Sequence, residues 1–408
     1  MMNNKWMRAA VPALLIHCSI GTVYCWSTFK EAIAKQIEMS PFAVGWAFSL
    51  AIFFLGMSAA FAGKLVEKNI HKSSLISCIC FSTGMIGTGL SILFLKGWMA
   101  LVGIYLCYGC IMGIGLGIGY LTPVKTLMLW FNKNKGLATG ISIMGFGLAK
   151  AIATPIMEML QTNFGIVPMF IILGLFYLIV MFIGHLLLKK PNGWVETVTK
   201  KKESIFKMFK KREFLGIWLM FYINIHCGLM IISYEKQILN TAFIAVAALA
   251  TIISAVPSCT AIANALGRIG YSTVSDKCKQ RNTIYKIIFI SCIIISILMI
   301  STNAINGANS FILGALVITY LLIINAGYGG GFSTLPALLS ERFGMLKISQ
   351  IHGLALSAWA VAGITGNNTS EIILNLTGGN YQIVLITATI LYTIALGFCI
   401  FLVRKKKT

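Results

Sequence analysis

The chain reads as an all-α polytopic membrane protein, twelve transmembrane helices in two six-helix bundles. Three observations predict this. Of its 408 residues, 58% are hydrophobic and only 11% are charged, and the mean hydropathy is +0.85, the composition of a chain that lives in lipid. The apolar residues fall in runs of about 20, the length that crosses a bilayer as a helix. One long polar insert, 189–213, divides the runs six and six. A first bundle over 1–188, a cytoplasmic linker over 189–213 and a second bundle over 214–408 are therefore expected.

Span 1 is expected over 7–29, behind Lys5 and Arg8. It is long enough to cross, and no small-residue cleavage site follows it, so it reads as a span and not as a removed leader. Spans 2 and 3, at 42–63 and 74–95, flank a turn holding Lys64, Lys68 and Lys72. Span 4, at 98–130, exceeds the bilayer thickness and needs tilt or projects beyond it. Lys133 and Lys135 separate it from span 5, at 137–158, and span 6 follows at 166–188. After the insert come spans 7 and 8, at 214–235 and 247–274. Lys277, Lys279, Arg281 and Lys286 lead to span 9, at 284–303. Span 10, at 308–338, is again long, and Arg342 and Lys347 separate it from span 11, at 349–372. Span 12, at 381–403, ends in Arg404, Lys405, Lys406 and Lys407. Every second turn is basic: 26 of the 33 Lys and Arg lie on one side, and the other side holds Lys30, Lys35, Lys96 and Lys236. Positive charge stays in the cytoplasm, so both termini are expected there, in a multi-pass protein of the cell inner (plasma) membrane.

The halves echo each other. Gly119-Tyr120-Leu121-Thr122-Pro123 in span 4 matches Gly331-Phe332-Ser333-Thr334-Leu335-Pro336 in span 10. Each precedes a basic turn and a Gly-rich span, Gly136-Leu137-Ala138-Thr139-Gly140 or Gly353-Leu354-Ala355-Leu356. A parallel repeat of six-helix halves is the pattern of secondary transporters, with the site expected at the midplane between the halves.

Composition excludes several classes. The net charge of +22 is dispersed in short turns and forms no continuous basic face, so no nucleic acid is expected. The eleven Cys are scattered through apolar runs; Cys107 and Cys110 form one CxxC without a second pair, so no metal or cofactor is expected. No HExxH, Ser-His-Asp set or paired acids occupy a span, so no catalytic residue is named and the chain is not read as an enzyme.

Lys150 and Arg268 stand deep in apolar spans, and no Asp or Glu is read inside a span to neutralise them. A charge in lipid costs at least a few kcal/mol and marks function by default. The expected partner is an anion that arrives and leaves. Arg268 lies eight residues before Asp276, roughly 12 Å inside the cytoplasmic helix end, and a guanidinium matches a carboxylate bidentately. The competing reading is a packing Arg bonded to carbonyls. Lys150 lies roughly 21 Å along span 5 from Gly136; it is either a second cation for a dianion or a lysine snorkelling to the outer interface. Lys125, near the end of span 4, reads as snorkelling.

The chain resembles the major facilitator superfamily. Gly63-Lys64-Leu65-Val66-Glu67-Lys68 after span 2 looks like a degraded G-x-L-x-D-R loop signature, and Ser272-Thr273-Val274-Ser275-Asp276-Lys277 is its repeat after span 8. The resemblance implies that Gly63, Glu67, Lys68, Asp276 and Lys277 serve gating, pairing carboxylate with cation across helix ends. Within the superfamily the chain is similar to the oxalate/formate antiporter family, relatives of the monocarboxylate transporters. The similarity runs through Gly21-Thr22-Val23-Tyr24-Cys25-Trp26-Ser27, Gly117-Ile118-Gly119-Tyr120, Gly145-Phe146-Gly147, Asn264-Ala265-Leu266-Gly267-Arg268 and Gly329-Gly330-Gly331 to Pro336. It implies that Arg268 binds the substrate carboxylate and that Tyr24, Tyr120, Tyr328, Phe332 and Trp359 cage the small anion. The competing reading of these aromatics is interface belts and core packing.

Two departures shape the substrate. The family's oxalate carrier is expected to place a lysine in span 11 where this chain has Trp359, which favours monocarboxylates such as formate, lactate or pyruvate. Proton-linked monocarboxylate transporters carry an acid one turn before the arginine, where this chain has Asn264. His17, His226 and His352 remain as proton carriers, each read first as a hydrogen-bonded packing residue. A proton or a counter-anion is the expected co-substrate, the lipid bilayer the surroundings, and a monomer the expected state. The alternatives are an oxalate or other dicarboxylate exchanger using Lys150 with Arg268, and a transport-inactive membrane sensor.

Overall fold

The structure is a computed structural model; it describes residues 4–193, 204–232, 234–235, 238–239, 250–306 and 311–403. Parts of the polar insert, Lys236 and the basic tail at 404–407, which carry some of the charge counted above, lie outside the described residues. All regular elements among the described residues are helical. In chain order the long helices are α1 (Trp6–Ile37), α2 (Pro41–Lys68), α3 (Ile70–Phe94), α4 (Gly97–Trp130), α5 (Lys135–Phe164) and α6 (Ile166–Leu187). Then come α7 (Arg212–Ile232), α8 (Ala250–Ser275), α9 (Thr283–Asn306), α10 (Phe311–Phe343), α11 (Ile348–Leu376) and α12 (Tyr381–Phe401). Eleven of them are long and apolar enough to cross a membrane, and α8 stands where the eighth span is expected.

Local chemistry explains the ends. Ser40 caps α2, its hydroxyl accepting from Ala43 N at 3.2 Å, with Pro41 opening the first turn. Asn69 caps α3 through Lys72 N at 2.9 Å. α1 tightens to a 3-10 stretch at Gly21–Cys25, and α4 widens to a π stretch at Tyr105–Met112; such irregularities recur at functional positions. Pro123, Pro155, Pro257 and Pro336 lie inside helices, which membrane helices tolerate because neighbours satisfy the freed carbonyls.

The chain falls into two compact units. The first is Met1–Phe206 with Leu339–Ala360; the second is Lys207–Leu338 with Val361–Thr408. In the first unit α1 packs on α5 and α6, α2 on α4, and α3 on α4 and α6. In the second, α12 packs on α7 and α9, and α8 on α9. The opening half of α11 belongs to the first unit.

Two expectations are corrected. The segment 63–68 is not a loop: α2 continues as helix through Lys68, because Lys, Leu and Glu are good helix formers and no breaker intervenes. Acids do accompany the long helices. Glu158 lies in α5 and Glu371 in α11, and Glu235, just past α7, is buried and accepts from Thr260 Oγ1 at 2.7 Å. Glu158, Glu235 and Glu371 stand at or near the last position of the expected spans 137–158, 214–235 and 349–372, so those spans do hold acids at their ends.

Candidate functional site

In the second unit Arg268 is 1% exposed. Its Nε donates to Oδ1 of Asn264, one turn earlier on α8, at 2.8 Å, which fixes the plane of the guanidinium. The guanidinium carbon stands 5.6 Å from the ring centroid of Phe332 on α10, within cation–π range. Phe332 meets Tyr328 and Phe221 at 5.1 Å each. This approach of α8 to α10 needs a glycine. A Cβ on Gly329 would lie 2.3 Å from the carbonyl oxygen of Asn264 and 3.0 Å from Arg268 Cγ. Asn264, Arg268, Tyr328 and Phe332, separated in sequence, thus converge on one buried cation with an aromatic wall.

The first unit holds the other expected cage residues. Tyr24 stands in the 3-10 stretch of α1 and meets Phe146 of α5 edge-on at 5.4 Å. Tyr120 and Trp359 both meet Phe146 at 5.7 Å and lie 5.6 Å from each other. Phe146 is the hub of this cluster. An isolated Phe in an apolar run carries no sequence signal of its own, so the sequence does not mark it as a site residue.

Lys150 differs from expectation: its side chain is exposed, not buried. It opens a polar stripe on α5 with Thr154 and Glu158, four residues apart and so on one face. Thr154 Oγ1 lies 3.5 Å from Cys25 Sγ.

Lys125 is also corrected. It does not snorkel: it is 3% exposed and pairs with Glu67. The second carboxylate oxygen of Glu67 accepts from Ser349 N at the start of α11, at 2.7 Å. There the helix leaves N–H groups unsatisfied and favours negative charge. Lys190 Nζ reaches the Glu67 carbonyl at 3.5 Å. Neighbours along a helix point about 100° apart, so Lys68 is no partner for Glu67 and ends α2 exposed. Likewise Asp276 pairs with Arg281 at 2.7 Å, and Arg281 also donates to Ser275 Oγ at 2.8 Å, while Lys277 is exposed. Gly63 packs on α11: a Cβ there would lie 2.5 Å from Gln350 Cα. Gly63, Glu67 and Asp276 are legible in the sequence, whereas the cations that pair with Glu67 and Asp276 lie 58 and 5 positions away.

Of a polar triangle on α7 and α11 the sequence points only to His226. Thr365 Oγ1 lies 2.9 Å from His226 Nδ1 and 3.0 Å from Tyr222 OH, and Trp218 stacks on Tyr222 at 5.7 Å. The spacing of Trp218, Tyr222 and His226, four residues apart on α7, was the available signal.

The chain is similar to several known transporters. An uncharacterised MFS-type transporter of Escherichia coli strain K12 is 25% identical over 371 residues, covering 88% of this chain and 86% of the relative. An oxalate:formate antiporter of Oxalobacter formigenes is 24% identical over 97% of this chain and 91% of its own. Monocarboxylate transporter 4 of Gallus gallus is 27% identical over 95% and 83%. Among solved structures, the proton:xylose symporter XylE superposes with a TM-score of 0.71 at 14% identity, over 98% of this chain and 95% of that one, a likeness of fold. The family model of the Major Facilitator Superfamily matches residues 13–367. The chain is a multi-pass membrane protein and belongs to the major facilitator superfamily of transporters.

Proposed function

We propose that this transporter carries small monocarboxylate anions, such as formate, lactate or pyruvate, by alternating access, with Arg268 as the group that binds the carboxylate. One observation carries the reading: a guanidinium almost wholly buried on a long helix, held in plane by Asn264 and walled by Phe332. Burying a charge in this setting costs several kcal/mol, and an arriving carboxylate returns that cost through two parallel charge-assisted hydrogen bonds. Beside Arg268 in the second unit, Tyr328 and Phe332 supply apolar faces that exclude water from a small anion; Tyr24, Tyr120 and Trp359 offer such faces in the first unit. The relatives support the substrate class, since one is an oxalate:formate antiporter and another a monocarboxylate transporter. Trp359, buried against Tyr120 and Phe146, supports a monoanion, because the resemblance puts the oxalate carrier's lysine there. The reading places the protein in the plasma membrane with both termini in the cytoplasm, a carrier and not an enzyme.

A second reading, exchange of oxalate or another dicarboxylate, is favoured by Lys150 on the polar stripe of α5. Both are tested in proteoliposomes preloaded with unlabelled anion, by uptake of labelled formate, lactate, pyruvate and oxalate. Monocarboxylate exchange without oxalate, lost in Arg268→Gln that still unfolds cooperatively on heating, is the expected result. Oxalate exchange that needs Lys150 selects the second reading. No exchange of any of the four, or full activity in Arg268→Gln, overturns the carboxylate site.

A further inference from the structure

His17 on α1 has no exposed surface. Its Nδ1 stands 2.5 Å from the carbonyl oxygen of Ser142 on α5, and its Nε2 stands 3.2 Å from the carbonyl oxygen of Tyr120 on α4. A carbonyl oxygen only accepts, and a neutral imidazole carries one N–H. Two carbonyls facing two ring nitrogens are both satisfied only by the doubly protonated ring. The Ser142 hydroxyl, 3.1 Å from Nδ1, does not remove the requirement. If it donated to a bare Nδ1, that lone pair would still face the Ser142 carbonyl at 2.5 Å. The ring also stacks on Tyr120 at 5.3 Å and 30°, a position that favours a cation.

On Tyr120 a second imidazole waits. His352 of α11 is 2% exposed, its ring centroid lies 5.9 Å from that of Tyr120, and its Nε2 has no hydrogen-bond partner. A buried nitrogen left without a partner is costly and calls for an explanation; a proton acceptor that is charged only in transit is one.

We propose that His17 and His352 form a proton-binding site inside the first unit, with the proton resting on His17 and His352 Nε2 as its relay, and that one proton travels with each anion. The site is independent of Arg268; its coupling to a carboxylate rests on the function proposed above. In each cycle the pair takes one proton from water on the side where the anion enters. It returns that proton to water on the side where the anion leaves, so one positive and one negative charge cross together and no electrons move. Like charges this close in an apolar interior exclude each other, so the pair holds one proton at a time. Among the described residues, these titratable and charged groups lie on the elements packed against His17. α4 brings Tyr120 and, five residues on, Lys125, which is engaged by Glu67 of α2. α5 brings Ser142 and, two turns on, Lys150. α11 brings His352, α1 itself Cys18, and α6 Tyr177, which lies toward Cys18 and Cys25.

Two measurements test this on the purified full chain. Nitrogen-15 NMR of histidine-labelled protein, above the ordinary histidine pKa of ~6.5, reads the protonation state with or without transport. The expected spectrum has one imidazolium with both nitrogens protonated, absent in His17→Gln. A spectrum of neutral rings alone overturns the site. In proteoliposomes an inward gradient of about one pH unit supports roughly tenfold accumulation of a labelled monocarboxylate at one proton per anion. His17→Gln is expected to abolish that accumulation and to lower exchange at equal pH by less, because Arg268 is untouched although the ring packs on Tyr120; equal loss of both overturns the coupling. Gradient-driven accumulation surviving in His17→Gln overturns the proposal. An imidazolium signal without exchange of any carboxylate supports the proton site and sinks the substrate reading, so the two fail separately.

Discussion

At the scale of single residues, buried charge decides most. Arg268 could be picked from sequence because a cation in an apolar run is rare, whatever its surroundings. Lys125 was equally rare but misread, because its partner Glu67 sits 58 positions earlier and sequence distance hides spatial pairing. That pair makes a sharp prediction. Glu67→Gln keeps an oxygen for Ser349 N but removes the negative charge paired with the buried Lys125 ammonium, and is expected to cost about 3 kcal/mol. Lys125→Met costs less, since Glu67 retains Ser349 N and some water. The double variant is expected to be more stable than Glu67→Gln, as double-mutant coupling requires. Thermal unfolding in detergent checks the order; additive losses would mean the ion pair contributes nothing. Arg268→Lys is expected to lose at least about tenfold in transport, because an ammonium lacks the planar fork and the reach to Asn264. Initial uptake rates at fixed protein measure it.

At the scale of elements, the helices were legible because lipid leaves few options. A backbone with no water must satisfy itself, so apolar runs of spanning length become helices. The boundaries were less legible. α5 extends to Phe164 and α2 to Lys68, past the apolar runs, since Lys, Leu and Glu in α2 and Met, Leu and Gln in α5 are good helix formers that continue a helix. Helix-to-helix contact was legible only where glycines crowd, and there the structure makes a paired prediction. Gly329→Ala drives a methyl into the Asn264 carbonyl, so α8 and α10 must part, and both thermal stability and transport are expected to fall. Among the described residues, no atom beyond its chain neighbours and its own helix backbone lies within 4 Å of where a Cβ on Gly397 of α12 would stand. Gly397→Ala is therefore expected to be neutral or to gain up to about 1 kcal/mol in helix stability. Equal losses in the two variants would mean that general helix mobility, not the α8–α10 approach, sets the effect.

At the scale of the whole molecule, charge asymmetry and fold carry the argument. The repeat of Gly119 to Pro123 in Gly331 to Pro336 points to a duplicated six-helix half; the match from 13 to 367 shows the superfamily. What the sequence could not convey is which aromatic side chains meet, since Tyr24, Tyr120, Phe146 and Trp359 come from four helices and share no spacing. Orientation rests on the count of basic residues alone: 26 of 33 cations lie on one side of the expected spans, and Lys30, Lys35 and Lys96 lie on the other. Each juxtamembrane cation resists translocation, and the first span is the usual determinant. A fluorescent protein that matures only in the cytoplasm, fused after Thr408, is therefore expected to fluoresce, and a phosphatase active only outside is expected to be silent there. Fusing the same pair after Lys96, between α3 and α4, should reverse both signals. Removing Lys5 and Arg8 alone should leave the C-terminal signal unchanged, because the basic turns after α2, α4, α8 and α10 each hold their own side. A reversed C-terminal signal in that variant would mean that span 1 by itself sets the topology.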